Sequence, residues 1–355
     1  MKTISVERLH SICERVFTAC GAAPQESRII TDELVESSLM GIDTHGVVLL
    51  SQYVCEVKDG TIRPGAPFTV LRETSSTAVV DCGFNFGLVS ARRIADLVIA
   101  KASAAHVACV VSQRTHHVSR LGSHVQKLAD KGFIGLGYVA ASTQYGHRPI
   151  VAPWGGREGR FSTNPLAYAV PTRDSPIVFD MSTAMTSQGR VRAAIRKGES
   201  IPEGYIQDGT GKASTDPNDL YGPPPGSILP FGFSLGHKGY GLALLTEIMA
   251  GTLAGRAVDP SDLADHYSNQ LCLIAIDPES FCGREEFYDL AAELSSYLTA
   301  TPPAPGFQEV LLPCTLERRT RERRLAEGIP IDEEGWKNMK KAAAVVGIDI
   351  EEGGV

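Results

Sequence analysis

The sequence contains no apolar run approaching the roughly 20 residues that a membrane-spanning helix needs. Its first residues are charged and contain no apolar signal core. The sequence also has no excess of positive charge, because it contains 34 Lys and Arg residues and 41 Asp and Glu residues, which gives a formal net charge of -7. This balance argues against a nucleic-acid binder or a polybasic membrane-surface protein. We therefore expect a cytoplasmic protein.

The sequence has eight cysteines but no CxxC pair, so it indicates neither a zinc ribbon nor a disulfide framework. Most of them lie among apolar neighbours, as Cys109 does in Ala-Cys-Val-Val. Such cysteines behave as small, buried hydrophobic residues with reduced thiols. His116 and His117 have no histidine, cysteine or carboxylate at a metal-ligand spacing. No metal site is predicted.

What the sequence does contain is an ordinary globular composition, with 43% hydrophobic and 21% charged residues in a chain of 355. Residues 1–60 have helical patterns, with Ser5 as the cap of the first helix and Pro24 at the start of the second. The Gly/Pro-rich segment 60–67 marks a boundary.

The rest of the chain alternates between strand and helix patterns, which predicts a mixed α/β region. Residues 140–232 are rich in proline and predict loops and short strands, and the charged run 317–324 predicts a solvated helix face. The predicted strands are 77–81, 107–112, 133–139, 271–276 and 310–312, and the predicted helices are 88–105, 122–131, 242–254 and 287–297.

The central feature of the sequence is the segment 41–46, Gly-Ile-Asp-Thr-His-Gly, between two amphipathic helical patterns. Gly41 suits the C′ position of the upstream helix, and Asp43 and Thr44 are both good N-caps for the downstream one. His45 would then lie in a first helical turn, where the helix dipole lowers its pKa. Such a histidine is suited to proton transfer near neutral pH. The alternative is a helix–helix turn whose histidine is merely exposed.

Residues 135–140, Gly-Leu-Gly-Tyr-Val-Ala, follow a predicted strand and match the dinucleotide fingerprint GxGxxA. The fingerprint requires a helix directly afterwards, whose N-terminus binds the pyrophosphate. Ser142, Gly146 and Pro149 oppose such a helix. We therefore predict that any nicotinamide cofactor is bound without a Rossmann unit.

A better candidate for anion binding is the segment 236–241, Gly-His-Lys-Gly-Tyr-Gly, directly before an apolar helix. Its glycines permit close approach to the backbone, Lys238 offers a cation, and the helix start offers free N–H groups. The alternative is a glycine-rich helix entry packed tightly against another element. His116 and His117 form a second candidate, of which at most one can reach a shared site from a strand end.

Taken in order, these motifs resemble the type 2 malate/L-lactate dehydrogenase family, which also contains sulfolactate, ureidoglycolate, diketogulonate and Δ1-piperideine-2-carboxylate oxidoreductases. The resemblance covers nearly the whole chain. It rests on the segments 41–47, 153–156 (Pro-Trp-Gly-Gly), 163–167 (Thr-Asn-Pro-Leu-Ala) and 238–243 (Lys-Gly-Tyr-Gly-Leu-Ala). Each segment is short, but their order and spacing together are specific.

The resemblance implies an α/β (α+β) fold with a non-Rossmann NAD(P)-binding mixed sheet and a helical N-terminal part, in a homodimer. We expect a helical domain over residues 1–66, joined by the C-terminal segment 317–355, and an NAD(P)-binding catalytic region over 67–316. The implied enzyme is an NAD(P)-dependent dehydrogenase that moves a hydride between nicotinamide and the α-carbon of a 2-hydroxy or 2-oxo acid. NAD is favoured over NADP.

The resemblance also implies the residues of the site. His45 matches the proton donor of the family, Thr44 its neighbouring hydroxyl and His117 a second active-site histidine. Hydride addition to a carbonyl builds negative charge on its oxygen, so a protonated histidine within hydrogen-bond reach fits this chemistry. The cofactor-binding positions are Asn164, Asp180, Met181, Ser182, Thr183, His237 and Lys238.

The chain departs from the family pattern where the substrate would bind. The family commonly has an arginine four residues after the catalytic histidine, suited to a forked pair with a carboxylate, and here that residue is Leu49. On a helix Leu49 would face the same pocket as His45. The stretch after Val139 is longer than usual and contains Arg148, which we favour over Arg120 as the compensating cation.

Three alternatives stay open. Leu49 would permit a reductase of a carbonyl without an adjacent carboxylate, the substrate could be a cyclic imino acid, or a non-catalytic homologue could bind NAD(P) without turnover. Residues 313–315 read Pro-Cys-Thr where the family has Pro-Gly-Glu, which bears on cofactor affinity. Retention of His45, Thr44, His117 and Lys238 argues against loss of turnover.

Overall fold

The computed structural model describes residues 2–141, 149–255 and 268–351. Ser5 caps the first helix by accepting a hydrogen bond from the N–H of residue 8 at 3.2 Å, and Pro24 occupies the first turn of the second, as predicted. Gly41 follows that helix with φ of 80°, the left-handed conformation expected at C′. The N-terminal elements are β1 (Lys2–Ile4), α1 (Val6–Ala19), α2 (Pro24–Leu39) and α3 (Leu50–Lys58).

The middle of the chain alternates strands and helices. Its elements are β2 (Thr69–Glu73), β3 (Thr77–Asp81), α4 (Gly87–Ala105), β4 (Val107–Gln113), α5 (Leu121–Ala129), β5 (Ile134–Ala141), β6 (Leu166–Val170), β7 (Ile177–Met181), α6 (Gln188–Lys197), β8 (Ile206–Gln207), β9 (Ala213–Ser214) and β10 (Ser227–Ile228). The C-terminal part contains α7 (Gly236–Thr246) with a π-helical extension Glu247–Thr252, β11 (Asn269–Ile276), α8 (Arg284–Thr299), α9 (Thr315–Glu327), β12 (Ile329–Ile331) and α10 (Glu333–Val345).

The central sheet has seven strands in the order β2-β3-β4-β11-β5-β6-β7. Only β3 and β4 are parallel, and every other pair of neighbours is antiparallel. A Rossmann unit needs consecutive parallel strands, so the predicted non-Rossmann mixed α/β fold is confirmed. The helices α4 and α5 cover one face of this sheet with an apolar core that includes Ile94, Val98, Val125 and Leu273.

The segment 135–140 lies inside β5 and has a packing role. A Cβ atom on Gly135 would lie 2.8 Å from the carbonyl oxygen of Val125, and one on Gly137 would lie 2.8 Å from a methyl group of the same residue. These glycines therefore let α5 approach the sheet closely. The rejection of a dinucleotide fingerprint at this segment agrees with the structure.

The predicted strand at 310–312 is wrong, because this segment has no regular secondary structure. No strand within the described ranges pairs with it, so its apolar side chains pack without a backbone ladder. The last strand is β12, which pairs antiparallel with β1, Ile4 lying opposite Ile329.

The C-terminal segment packs on the N-terminal helices. One hydrophobic core joins residues of α1, α2 and α3, such as Phe17 and Tyr53, to Trp336 and Met339 of α10. This packing agrees with the expected association of residues 317–355 with the N-terminal helices. The division of the chain at residues 66 and 316 stays a prediction.

All eight cysteines are free thiols, in agreement with the absence of a disulfide framework. Cys13, Cys82 and Cys272 are buried, but Cys55 and Cys282 are exposed. The prediction of burial is wrong for these two cysteines, because Cys55 lies on the outer face of α3 and Cys282 lies in the turn before α8. None of the described helices has the length and apolarity needed to cross a bilayer.

Candidate active site

Two 3₁₀ turns, and not the start of an α-helix, follow α2. The turns Asp43–His45 and Val47–Leu49 are separated by Gly46, whose backbone is extended, and α3 begins only at Leu50. The predicted N-capping of a helix within 41–46 is therefore wrong. Ser38 of α2 supplies the cap instead, because its hydroxyl accepts a hydrogen bond from the N–H of residue 47 at 3.0 Å.

The first turn is held from outside by α9. Arg324 donates to both carboxylate oxygens of Asp43, at 2.5 and 3.0 Å, and also to the carbonyl oxygen of Ser38. The side chain of Arg324 is only 11% exposed. The prediction of a solvated face for 317–324 is therefore wrong at this arginine, which connects the C-terminal segment to the turn that carries His45.

The ring of His45 is fixed on several sides. The Thr44 hydroxyl lies 3.0 Å from its Nδ1, and the Ser119 hydroxyl donates to its backbone carbonyl at 2.6 Å. The ring stacks on His117, with centroids 5.6 Å apart and planes inclined by 30°. His117 is itself held by Tyr53, whose hydroxyl lies 2.8 Å from Nδ1. Within the described chain, Nε2 of His45 forms no hydrogen bond, so it stays available for a substrate.

Both rings of this pair favour the neutral form. Dehydration by the surrounding protein lowers the pKa of His45 first, and the positive charge of Arg120 lowers it further. Burial holds the pKa of His117 well below its ordinary value, with smaller effects from His45 and His116. The predicted direction for His45 agrees with the structure, but the predicted cause, a helix dipole, is wrong because no α-helix begins at this turn.

His116 points away from this pair. It is fully buried, and its Nε2 lies 3.8 Å from a carboxylate oxygen of Glu56 on α3. Burial raises the pKa of Glu56 to about 7. Only one of the two adjacent histidines therefore reaches His45, as expected from their neighbouring positions.

Arg120 and Asp180 lie at the same end of the sheet. Arg120 immediately precedes α5 and is 4% exposed. The N–H of Gly122, in the first turn of α5, donates to the carboxylate of Asp180 at the end of β7, at 2.7 Å. Burial raises the pKa of Asp180, and the Gly122 N–H and Arg120 oppose this change. Asp180 thus connects the histidine site to the loop that follows β7.

Two of the predicted cofactor positions are fully buried. The Thr183 hydroxyl lies 3.1 Å from the carbonyl oxygen of Thr163 and 3.0 Å from that of Asn164. The Asn164 amide donates to the Glu247 carboxylate at 2.8 Å and to the carbonyl oxygen of Ala243 at 3.1 Å. These contacts tie the loop after β7 to α7. A direct contact of Thr183 or Asn164 with a cofactor is not supported by this burial.

His237 and Lys238 lie exposed in the first turn of α7. Gly236 packs against the indole of Trp154, and Gly239 packs against the backbone of the preceding loop, where a Cβ atom would clash. Tight packing therefore explains these two glycines. No side chain caps α7, although the N–H of Gly236 donates to the carbonyl oxygen of Phe233 in the 3₁₀ turn that precedes it. Lys238 forms no ion pair in the described chain, so this exposed cation is available to an anion at the helix start.

The sequence and the fold of the chain are similar to those of known proteins. The sequence profile of the malate/L-lactate dehydrogenase family matches residues 4–340. The chain belongs to this family. The predicted family and fold are confirmed, and so is the prediction that the protein is an enzyme, an oxidoreductase.

Individual relatives of this dehydrogenase-family chain match over nearly their full length. It is 34% identical to the L-sulfolactate dehydrogenase of Methanothermobacter thermautotrophicus, covering 98% of each sequence. It is 32% identical to the malate dehydrogenase of Pyrococcus horikoshii, covering 97% of this chain and 95% of that protein. The structure of the sulfolactate dehydrogenase of Methanocaldococcus jannaschii has a TM-score of 0.87 at 30% identity, over 99% of both chains.

One of the predicted substrate residues is placed differently from the expectation for this dehydrogenase site. Leu49 ends the second 3₁₀ turn and packs against the N-terminal core, so the helical argument that placed it beside His45 is wrong. Arg148 lies outside the described residues. The structure also adds Tyr53, Ser119 and Arg324, which the sequence gave no signal for, because their partners are 64, 74 and 281 residues away.

Proposed function

We propose that this oxidoreductase moves a hydride between a nicotinamide cofactor and the α-carbon of a 2-hydroxy or 2-oxo acid, with His45 exchanging the proton on the substrate oxygen. One observation carries the proposal. Thr44 and His117 fix the His45 ring and leave its Nε2 without a partner in the described chain. A ring nitrogen without a protein partner, on a histidine whose ring is fixed, is the arrangement that proton transfer to a bound oxygen requires.

The bound cofactor supplies or accepts the hydride. During reduction, negative charge develops on the carbonyl oxygen, and protonated His45 donates its proton to that oxygen. In the reverse direction, neutral His45 accepts the hydroxyl proton of the 2-hydroxy acid. His117, kept neutral by burial and oriented by Tyr53, keeps the His45 ring in place while its charge changes. Thr44 holds the other ring nitrogen and thereby fixes its orientation.

The residues around the start of α7 fit a dinucleotide. The positive end of this helix, which no side chain caps, and exposed Lys238 suit phosphate oxygens. The loop before the helix donates a hydrogen bond at 2.8 Å to the carbonyl oxygen of Thr183, so the loop after β7 lies beside it. We propose that His237 and Lys238, with Asp180, Met181 and Ser182, hold the cofactor, and that buried Thr183 and Asn164 hold this loop against α7.

The experiment is a change in absorbance near 340 nm with NADH or NADPH against a panel of 2-oxo acids, a cyclic imino acid and a neutral ketone, with a chelator as control. We expect turnover with a 2-oxo acid, insensitivity to the chelator, and a preference for NADH over NADPH. Turnover of the imino acid or the ketone alone would favour the alternative substrates. Binding of NADH without turnover of any panel member would favour a non-catalytic homologue.

We also propose a homodimer in the cytoplasm. Helix α7 exposes Leu242, Leu244 and Leu245, and α8 has no buried residue although it contains Leu290 and Leu294. Apolar helix faces of this kind are typical of an interface between subunits. The eight free cysteines suit a reducing compartment.

A further inference from the structure

Arg120 lies on a loop that is fixed on both sides of it. On the preceding side, the Ser119 hydroxyl donates to the His45 carbonyl at 2.6 Å. On the following side, the Gly122 N–H donates to the Asp180 carboxylate at 2.7 Å. The backbone of Arg120 is therefore held between the turn that carries His45 and the end of β7. Only 4% of the residue is exposed.

The hydrogen-bonding capacity of this guanidinium is largely unused. One terminal nitrogen lies 3.5 Å from the amide oxygen of Gln126, which is a long contact, and Nε has no partner in the described chain. A hydrogen-bond interaction with the Cys314 thiol is the remaining contact of this side chain. No described carboxylate lies at ion-pair distance from it, and its charge acts on the buried carboxylate of Asp180 only from a greater distance, where it lowers the pKa of that group. Arginine does not lose its proton in proteins, so the charge stays. A buried, permanent and unpaired cation is costly unless an anion completes it.

The charge of Arg120 acts on groups of three different elements. It lowers the pKa of His45 on the 3₁₀ turn, of Asp180 on β7 and of the Cys314 thiol before α9. The turn at 47–49 contributes no cation to this space, because Leu49 is aliphatic and packs against the N-terminal core. Arg120 is thus a buried cation three residues from His117 and in electrostatic contact with His45.

We infer that Arg120 binds the carboxylate of the 2-oxo acid, in a forked pair that places the adjacent carbonyl oxygen at His45. This assignment rests on the proposed function and specifies its substrate as an anionic α-keto acid and not a neutral ketone. A planar guanidinium can hold both carboxylate oxygens at once. This pairing fixes the rotation of the acid, so that the carbonyl oxygen is directed to one side.

The test compares the best 2-oxo acid of the panel with its primary amide, which has the same shape and no charge. The variants are Arg120→Gln, Arg120→Lys and, as control, Arg160→Gln, whose arginine forms an exposed pair with Glu158. We expect the wild type and Arg160→Gln to prefer the acid over the amide. Arg120→Gln should lose about 100-fold in kcat/KM for the acid, mainly through KM, and little for the amide. The kcat/KM of Arg120→Lys for the acid should lie between those of the wild type and Arg120→Gln, because lysine keeps the positive charge but cannot hold both carboxylate oxygens in a forked pair.

A second measurement separates a binding role from a structural one. Arg120→Ala should regain acid turnover when guanidinium ion is added at millimolar concentration, while its affinity for NADH, measured by fluorescence, should equal that of the wild type throughout. An acid preference retained in Arg120→Gln, or equal wild-type turnover of acid and amide, would overturn the Arg120 assignment and leave the proposed function intact. Absence of turnover with every 2-oxo acid would instead overturn the proposed function. Equal wild-type turnover of acid and amide would overturn the assignment even if a variant does not fold.

Discussion

The two nitrogens of the His45 ring have different environments, and this difference determines what the residue can do. Nδ1 lies beside the Thr44 hydroxyl, and Nε2 forms no hydrogen bond within the described chain. His45→Gln removes the proton donor without removing a large side chain. We expect kcat to fall by about 10² or more, the usual contribution of a positioned acid or base. Stopped-flow or steady-state absorbance at 340 nm measures it, with NADH affinity as the control; turnover within tenfold of wild type would rule out His45 as the proton donor.

The same residue predicts a pH dependence. The folded pKa of His45 is lowered from its ordinary value of 6.5 by dehydration and by Arg120. In the oxidation direction the neutral ring accepts the proton, so kcat/KM should rise with pH below 6.5 and be level at neutral pH. In the reduction direction the protonated ring is needed, so kcat/KM should fall over the same range. Arg120→Gln removes one cause of the lowered pKa of His45 and should shift the pH dependence of kcat/KM to higher pH in both directions. His45→Gln should abolish this pH dependence.

Helix α9 acts on the site through one ion pair, between Arg324 and Asp43. Arg324→Ala should release the turn Asp43–His45 and lower kcat by about tenfold, since a partly buried, charge-assisted pair contributes about 1.5–3 kcal/mol. The matched control is Arg319→Ala on the same helix, whose partner Glu309 is exposed. It should change neither kcat nor thermal stability. Equal activity of the two variants would show that the pair does not position His45.

Lys238 in the first turn of α7 is proposed to bind a phosphate of the cofactor. Lys238→Ala should weaken NADH binding by about tenfold and change saturated turnover less, because a phosphate contact acts equally in the ground and transition states. Fluorescence titration of NADH measures this effect. The control is Lys197→Ala, an exposed lysine at the end of α6. An unchanged dissociation constant in Lys238→Ala would remove this lysine from the cofactor site.

For the whole molecule, the exposed apolar faces predict that two chains associate. Leu245 on α7 is 42% exposed. Leu245→Arg places a charge in the proposed interface and should shift the mass measured by light scattering from dimer towards monomer. Val345→Arg on α10, where the valine is 49% exposed, is the control and should keep the wild-type mass. A wild-type chain that is monomeric at micromolar concentration would contradict the proposed homodimer.

Local sequence patterns determined much of the fold. Apolar periodicity placed β3, α4, β4 and β11 close to their observed bounds, because each of these elements buries a regular set of its own side chains. Helix caps and turn residues could also be predicted from local sequence, as Ser5, Pro24 and Gly41 show. The wrong strand at 310–312 has the same origin, since an apolar triplet can form a strand only where a neighbouring strand is available.

The sequence by itself determined the family, the fold class and His45 as the candidate proton donor, because the motifs that indicate them are short segments read in order. The tertiary structure decided what surrounds that histidine. It replaced the expected helix start with a 3₁₀ turn held by Arg324, buried Thr183 and Asn164 where the loop after β7 meets α7, packed Leu49 against the N-terminal core, and brought the charge of Arg120 into electrostatic contact with His45. Side-chain orientation, burial and long-range charge depend on residues far apart in the chain, so periodicity and spacing carry no information about them.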